Sequence, residues 1–253
     1  MRRKTCILLA VGLLGLALSA LAQQRGQNAP AQPPKTASLV FRETFKGKTP
    51  GAPVSRALTL GDAANPNVEL KLYGPGANAK PDHESGLLLN QGDDEAKPGE
   101  SMSFIWSGVT EGNWVVTLKD KNNYVDLTGP AKIRWRVRPR SFHVLRPVIK
   151  LADGTMLVAD YGETGSTYWR ETEFYPSDIP RWRAMNAATA DMGRDTAWKT
   201  TVDLTRVDEI GFTDLSGGAG HGAEGNSALD WIEVYGNPVK RTTSQSQSLP
   251  GGR

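Results

Sequence analysis

Apolar and polar residues alternate one by one through most of the chain between Ser38 and Gly236, and long apolar repeats of three to four residues are missing. Alternation places successive side chains on opposite faces of a β-strand, whereas an amphipathic helix needs a period of about 3.6 residues. The pattern predicts an all-β domain with little helix. The predicted strands are Leu39–Phe45, Val68–Tyr73, Gly86–Leu89, Ser101–Trp106, Trp114–Leu118, Lys132–Arg138, Leu145–Leu151, Met156–Tyr161, Trp169–Phe174, Trp198–Val202, Glu209–Phe212 and Leu229–Tyr235.

One segment separates two strand faces clearly. From Ile133 to Arg138, three apolar side chains alternate with three arginines, so Trp135 is expected in the core and the arginines on the opposite face. Glu171 and Glu173 alternate in the same way farther along the chain. This charged sheet face has two interpretations. Arginine and glutamate can simply pair across strands in solvent, or planar guanidinium groups can hydrogen-bond sugar hydroxyls or acidic sugars.

The first 22 residues have the features of an export signal. Three basic residues precede an apolar stretch from Ile7 to Leu18, and Ala20-Leu21-Ala22 marks a cleavage site. The apolar stretch is shorter than the roughly 20 residues that a spanning helix needs. We therefore expect a secreted or periplasmic protein with no membrane insertion after cleavage. Because Cys6 lies in this signal, the mature chain is expected to contain no cysteine.

Removal of the signal also changes the charge of the chain. Three of the 30 lysines and arginines lie in it and no acidic residue does, which leaves 27 basic residues against 27 acidic ones. A neutral mature chain gives no electrostatic reason to expect nucleic-acid binding. Residues 23–37, rich in Gln, Pro and Ala, predict an extended linker. Residues 38–236 are the predicted domain, expected to be monomeric, and residues 237–253 a disordered tail.

The order of the later segments is typical of a known family. DLTGPAKIRWRV is followed by a paired strand and a hairpin at Asp153-Gly154, then by TTVDLTRVDEIGF and LDWIEVYG. This order resembles the galactose-binding-like jelly-roll domains that include many carbohydrate-binding modules, over about Thr36 to Gly236. The resemblance implies a two-sheet antiparallel β-sandwich that takes its ligand on a concave face or through loops at one end. It does not imply an enzyme.

The chain has seven tryptophans, and aromatic rings can stack on the apolar faces of pyranose sugars. Trp135 and Trp231 alternate with aliphatic residues and are expected in the core. Other rings lie at strand ends, where a rigid scaffold can expose them. The glycine-rich loop from Ser216 to Ser227 is either a binding loop or a simple solvent connection. The predicted ligand-binding residues are Arg136, Arg146, Tyr161, Tyr168, Trp169, Trp182 and His221.

The sequence predicts no catalytic residue. Glu171 and Glu173 share a strand face about 6–7 Å apart, which is compatible with a glycosidase pair, but no serine lies in a nucleophile-elbow pattern. We therefore predict a secreted, non-catalytic polysaccharide-binding protein. A glycan-cleaving or glycan-modifying enzyme and a structural envelope protein are the alternatives. No cofactor is expected apart from a structural calcium ion, to which Glu43 in the first strand and Asp230 in the last would contribute oxygen ligands.

Overall fold

The computed structural model describes residues 36–47, 54–78, 86–93, 97, 99–108, 110, 112–216 and 225–241. The predicted signal, most of the linker, His221 and the tail after Arg241 lie outside these residues. No helix in the described ranges is long and apolar enough to cross a membrane.

Besides three short 3-10 turns, these ranges form fifteen strands: β1 (Ser38–Glu43), β2 (Ser55–Ala57), β3 (Val68–Tyr73), β4 (Leu88–Asp93), β5 (Ser101–Trp106), β6 (Val115–Asp120), β7 (Asn123–Asp126), β8 (Lys132–Val137), β9 (Arg146–Leu151), β10 (Met156–Ala159), β11 (Arg170–Phe174), β12 (Trp182–Ala184), β13 (Trp198–Lys199), β14 (Val207–Thr213) and β15 (Ala228–Lys240).

Each strand predicted from alternation overlaps an observed strand, which confirms the all-β fold. Alternation does not predict β2, β7 and β12, which have three, four and three residues. The last strand, β15, continues to Lys240, beyond the predicted end of the domain at Gly236. The reason is that Asn237–Lys240 pair with β7, one of the strands that alternation does not predict.

The strands form two antiparallel sheets. In sheet A the order is β2–β4–β5–β15–β8–β11, and β1 pairs with β15 on the same edge as β5. In sheet B the order is β3–β6–β14–β9–β10–β12–β13. The long strand β15 joins the two sheets. Its first part lies in the middle of sheet A, and its end pairs with β7, which also pairs with β14 of sheet B.

The facing sides of the two sheets share one hydrophobic core. Trp135 and Ile232 of sheet A belong to the same buried cluster as Ile149 and Phe212 of sheet B. Trp135 is fully buried, as predicted, and its indole Nε1 donates a hydrogen bond to Thr172 Oγ1 at 2.8 Å. A shared core between two antiparallel sheets makes the domain a two-sheet β-sandwich, which confirms the predicted fold class.

The outer faces of the two sheets differ. On sheet B, Val148, Met156 and Val158 point away from the main core and form a second buried cluster with Met185 and Ala190. The apolar centre of that outer face is therefore covered by the chain itself. On sheet A the outer face, here named face A, presents arginine, glutamate and aromatic side chains. Face A is therefore the better candidate for a binding site on a sheet.

A buried ion pair ties the segment after β2 to that strand. Asp62 is 4% exposed, and its carboxylate accepts hydrogen bonds from Arg56 at 2.6 and 2.8 Å and from the amide and hydroxyl of Thr59. Burial alone would raise the pKa of Asp62, but these hydrogen bonds outweigh it and lower the pKa below its ordinary value of 3.8. A lowered folded-state pKa means that the pair stabilises the fold above about pH 4 and stops doing so as the pH falls through the lowered pKa.

We expect Asp62→Asn to lower the free energy of unfolding at about pH 7 by roughly 1–3 kcal/mol, because an amide cannot match the charge of Arg56. As the pH falls below about 4 and through the lowered pKa, the wild type loses this stabilisation and the variant has none to lose, so the two proteins converge. Denaturant unfolding at neutral and at successively more acidic pH measures the difference. A difference that does not shrink as the pH falls would contradict the assignment.

Candidate functional site

Charged side chains of neighbouring strands pair across face A. Arg134 on β8 lies opposite Glu173 of β11 and Glu233 of β15, with nitrogen to oxygen distances of 3.7 and 3.1 Å. Lys132 also approaches Glu173, at 3.0 Å. Solvent screens exposed pairs of this kind, so they contribute little to stability. The predicted charged face is present, and its carboxylates balance its arginines.

A β-bulge changes face A at the centre of β15. Leu229 pairs with Val137 and Trp231 pairs with Arg136, so Asp230 is an extra residue between two consecutive pairs. A bulge re-aims the side chains next to it. The carboxylate of Asp230 accepts a hydrogen bond from Arg136 Nη1 at 2.9 Å, and the two side chains are only 10% and 7% exposed. The guanidinium of Arg136 is thereby held in place by a neighbouring carboxylate.

A cavity of about 510 Å³, here named the cleft, lies beside this ion pair. It forms where β15 exchanges one neighbouring strand for another. β1 pairs with β15 from Ile232 onward and β5 pairs with Ala228 and Leu229, so Asp230 and Trp231 lie between the two. The ring of Trp231 lines the cleft together with three cations and three carboxylates: Arg42, Lys97, Arg136, Glu100, Glu171 and Asp230.

Trp231 lies between two arginines on face A. The guanidinium carbons of Arg42 and Arg134 are 5.0 and 5.8 Å from its ring centroid. The sequence predicts this tryptophan in the hydrophobic core, and that prediction is wrong. Trp231 alternates with the core residues Ile232 and Val234 and therefore lies on face A, where it is 8% exposed beside the two guanidinium groups. Such cation–π contacts hold the ring and the arginines together.

Trp169 lies on the other side of Arg136. Its ring centroid is 5.4 Å from the guanidinium carbon of Arg136 and 4.6 Å from that of Arg138. It also meets the ring of Phe104 edge-on, with centroids 5.3 Å apart. Trp169 directly precedes β11, and its ring lies against Arg136 and Arg138 and reaches Phe104 of β5. The ring is half-buried, so it is fixed by the sheet and still has surface for a ligand.

Three predicted site residues, Arg136, Trp169 and Asp230, therefore come together on face A. Tyr168 is 74% exposed, and its neighbours Ser166 and Thr167 line a separate cavity of about 390 Å³. Asp230 lies here as the partner of Arg136 rather than as a metal ligand.

Tyr161 also lies apart from the cleft. Its hydroxyl donates a hydrogen bond to Glu163 at 2.6 Å. Burial, and then this bond, raise the pKa of Tyr161 above its ordinary value of 10.0. The half-buried ring packs near Phe174, with centroids 5.1 Å apart. Tyr161 thus supports the segment before Trp169 rather than presenting an open ring.

Two further predictions are corrected by the structure. Trp182 is 3% exposed and belongs to the main core, because β12 pairs with β10 and turns this ring inward. Its place beside Pro180 and Arg181 suggested an exposed strand end. Arg146 begins β9 of sheet B, where its Nη1 approaches the carbonyl of Ala159 at 3.5 Å, so it takes no part in the cleft.

Sequence reasoning missed three residues that build the site: Arg42, Met102 and Phe104. Met102 and Phe104 alternate with Ile105 in a way that places them on the face opposite the core, so this signal was available. Arg42 gave no such signal. It reaches the cleft because β1 pairs with β15 so that Arg42 lies opposite Glu233.

The carboxylates of the site are engaged by cations. Glu173, one member of the predicted glycosidase pair, has a lowered pKa because Lys132 donates a hydrogen bond to it. A general acid for glycoside cleavage needs the opposite shift. Asp230 is held by Arg136, and only Glu171 of the acidic pair lines the cleft.

The residues expected to hold calcium do not fit a shared ion. Glu43 is fully buried, and its carboxylate accepts hydrogen bonds from the amides of Phe45, Ala64 and Asn65 at 2.6, 2.7 and 3.1 Å. It lies opposite Ile232 in the sheet. In the described part of the chain, no group of three or more His, Cys, Asp or Glu residues is placed to hold a metal ion.

We expect calcium at millimolar concentration, or a chelator, to leave the melting temperature unchanged. The backbone amides already occupy the oxygens of Glu43 that a cation would need as ligands. If an ion did bind, it would raise the melting temperature by mass action. Thermal unfolding with and without each additive measures this. A calcium-dependent rise that Glu43→Gln abolishes would restore the calcium site.

Comparison with known proteins found similar folds among solved structures only. No protein-family model and no curated protein matches the chain. The family 11 carbohydrate-binding module of a cellulosomal cellulase of Clostridium thermocellum matches with 12% identity and a TM-score of 0.41, over 79% of this chain and 95% of that one. A family 11 module from Clostridium thermocellum in complex with a β-1,3-1,4-mixed-linked tetrasaccharide matches with 14% identity and a TM-score of 0.39, over 74% of this chain and 98% of that one. An exo-β-agarase matches with 6% identity and a TM-score of 0.38, over 70% of this chain and 24% of that one. These are structures to which the chain is similar, and the likeness concerns the fold alone.

Proposed function

We propose that this chain is an exported, non-catalytic polysaccharide-binding protein that holds a neutral glycan in the cleft of face A. The observation that supports it is the open cleft, lined by Trp231, Arg42 and Arg136 on strands, with the ring of Trp169 beside Arg136. Trp169 and Trp231 flank Arg136, whose position is set by Asp230. Binding groups that are already ordered lose little conformational entropy when a ligand arrives.

The chemistry of a pyranose matches these groups. Its C–H face is apolar and stacks on an aromatic ring, while its hydroxyls accept and donate hydrogen bonds in the ring plane. The ring of Trp169 offers the stacking contact and the guanidinium of Arg136 offers hydrogen-bond donors, and its carbon lies 5.4 Å from the ring centroid. Ser101, Met102 and Ser103 of β5 line the opposite wall of the cleft.

The charge of the cleft supports a neutral glycan rather than an acidic one. Its described lining holds equal numbers of cations and carboxylates, and Arg42 and Arg136 each pair with a carboxylate at 2.9 Å. An acidic sugar would have to compete with Glu233 and Asp230 for these arginines. A neutral, hydroxyl-rich chain does not compete with these carboxylates for the charge of the arginines.

The test is affinity electrophoresis of the mature chain in gels that contain one polysaccharide each. The panel includes mixed-linked β-1,3-1,4-glucan, agarose and xylan as neutral chains, and alginate and pectin as acidic ones. We expect retardation by at least one neutral chain, little changed by salt, and no release of reducing ends. Retardation by acidic chains alone would overturn the neutral assignment. Release of reducing ends would favour the enzyme alternative, and no retardation by any chain would favour a structural envelope protein.

A further inference from the structure

A buried carboxylate lies behind the segment that carries the exposed rings. Glu163 is 7% exposed, and its Oε1 accepts hydrogen bonds from the hydroxyls of Tyr161 at 2.6 Å and Thr172 at 2.8 Å. On its other side, Arg170 Nη2 lies 3.5 Å from Glu163 Oε2. In the chain, Tyr161 precedes residues 164–169, and Arg170 and Thr172 follow them. We name residues 164–169 the aromatic loop.

These contacts close the aromatic loop at its base. Glu163 precedes the loop, and Arg170 and Thr172 follow it on β11. The same Arg170 Nη2 donates a hydrogen bond to the carbonyl of Thr164 at 2.5 Å. Glu163 also exchanges two backbone hydrogen bonds, each 2.9 Å long, with Leu145. One carboxylate thus joins the start of the loop, its end and the neighbouring chain segment.

The network continues into the core. Thr172 Oγ1 donates to Glu163 and accepts a hydrogen bond from Nε1 of Trp135, which is fully buried. A hydroxyl that donates and accepts at once has a defined orientation. The loop that presents Tyr168 and Trp169 is therefore fastened to an immobile part of the sandwich. Loops otherwise pay entropy to order themselves when they bind.

We propose that Glu163 is a positioning residue for glycan binding: it touches no ligand itself, and it holds the aromatic loop so that Trp169 lies on Arg136 before the glycan arrives. This inference rests on the proposed function. It assigns a binding role to a buried group that lies outside the cleft. Loss of the carboxylate should free residues 164–169 and weaken binding, in addition to any loss of stability.

The chain contains a close match to this network elsewhere, which supplies the control. Glu209 on sheet B is 2% exposed and accepts hydrogen bonds from the hydroxyls of Tyr73 and Thr117 and from Lys150 Nζ. It has the same kinds of partner as Glu163, namely a tyrosine, a threonine and a cation. It serves no loop of face A. A variant at Glu209 therefore reports what the loss of a buried carboxylate network does to stability alone.

The experiment compares Glu163→Ala with Glu209→Ala in the full mature chain. Three quantities are measured: the melting temperature, the dissociation constant for each panel polysaccharide that retards the wild type, and amide hydrogen exchange of residues 164–169 without polysaccharide. We expect both variants to melt earlier. Glu163→Ala alone should bind at least about tenfold more weakly and exchange its loop amides faster, while Glu209→Ala binds as the wild type does. If alanine prevents folding, Thr172→Val and Thr117→Val form the same matched pair.

The outcomes separate this inference from the proposed function. Suppose that the wild type binds a polysaccharide, and that Glu163→Ala matches it both in binding and in hydrogen exchange of the loop. This result would overturn the positioning role and leave the proposed function standing. Equal weakening in both variants would also overturn it, because binding would then follow stability alone. A wild type that binds no polysaccharide of the panel would overturn the proposed function, and the positioning role would fall with it.

Discussion

Replacement of Trp169 by alanine is expected to abolish retardation of the protein by its polysaccharide. The ring is the one predicted stacking platform that the structure places on face A, beside Arg136 and Arg138. Removal of a central aromatic contact typically costs about 2 kcal/mol or more, which corresponds to about 30-fold weaker binding. The half-buried ring contributes little to the core, so the melting temperature should fall by no more than a few degrees.

Trp198 provides the matched control for this variant. It is also half-buried, and the guanidinium carbons of Arg181 and Arg183 lie 4.9 and 5.7 Å from its ring centroid. It belongs to β13 at the edge of sheet B, away from face A. Trp198→Ala should therefore bind like the wild type. If Trp169→Ala unfolds the domain, or if both variants bind normally, Trp169 is a structural residue and not part of the site.

Replacement of Gly211 by alanine is expected to destabilise the whole sandwich. Gly211 lies in β14, between β6 and β9 in sheet B. A Cβ atom there would lie 1.9 Å from the carbonyl oxygen of Val116 and 2.6 Å from Cα of Thr117. Both are backbone atoms of the paired strand and cannot move without loss of the β6–β14 hydrogen bonds. We expect a loss of about 3 kcal/mol or more and a melting temperature about 6–12 °C lower.

Gly92 in β4 serves as the comparison, since it is also a strand glycine. A Cβ atom on Gly92 would meet only Phe104 Cε1, at 4.0 Å, which is ordinary contact. Gly92→Ala should therefore melt within about 2 °C of the wild type. Thermal unfolding followed by far-ultraviolet circular dichroism measures both variants. Equal melting temperatures for Gly211→Ala and the wild type would mean that β6 and β14 do not approach as closely as described.

Local patterns of the sequence predicted the parts of this structure that depend on neighbouring residues. Alternation along β8 placed Trp135 in the core and Arg134 and Arg136 on the opposite face, and both placements are confirmed. Such a pattern needs no knowledge of the partner strand, because side chains of a single strand already point to alternate faces.

The parts that depend on pairing could not be predicted in this way. The bulge at Asp230 is defined only by its register against β8, and it lets Leu229 as well as Ile232 face the core. The cleft requires β1 and β5 to meet the same edge of β15. The inward direction of Trp182 follows from the pairing of β12 with β10, a strand too short to show a period. Each of these is a long-range relation between segments.

The central place of β15 in sheet A has a consequence for how the chain folds. Ser38 begins β1 and contacts Gly236 of β15, 198 residues later in the chain. The first strand therefore has this neighbour in the sheet only after the 198 residues that separate the two have been synthesised. Folds dominated by such distant contacts close slowly, because a long loop must be ordered before the contact forms. A late-closing sandwich therefore stays open while the segment between these two strands is still emerging.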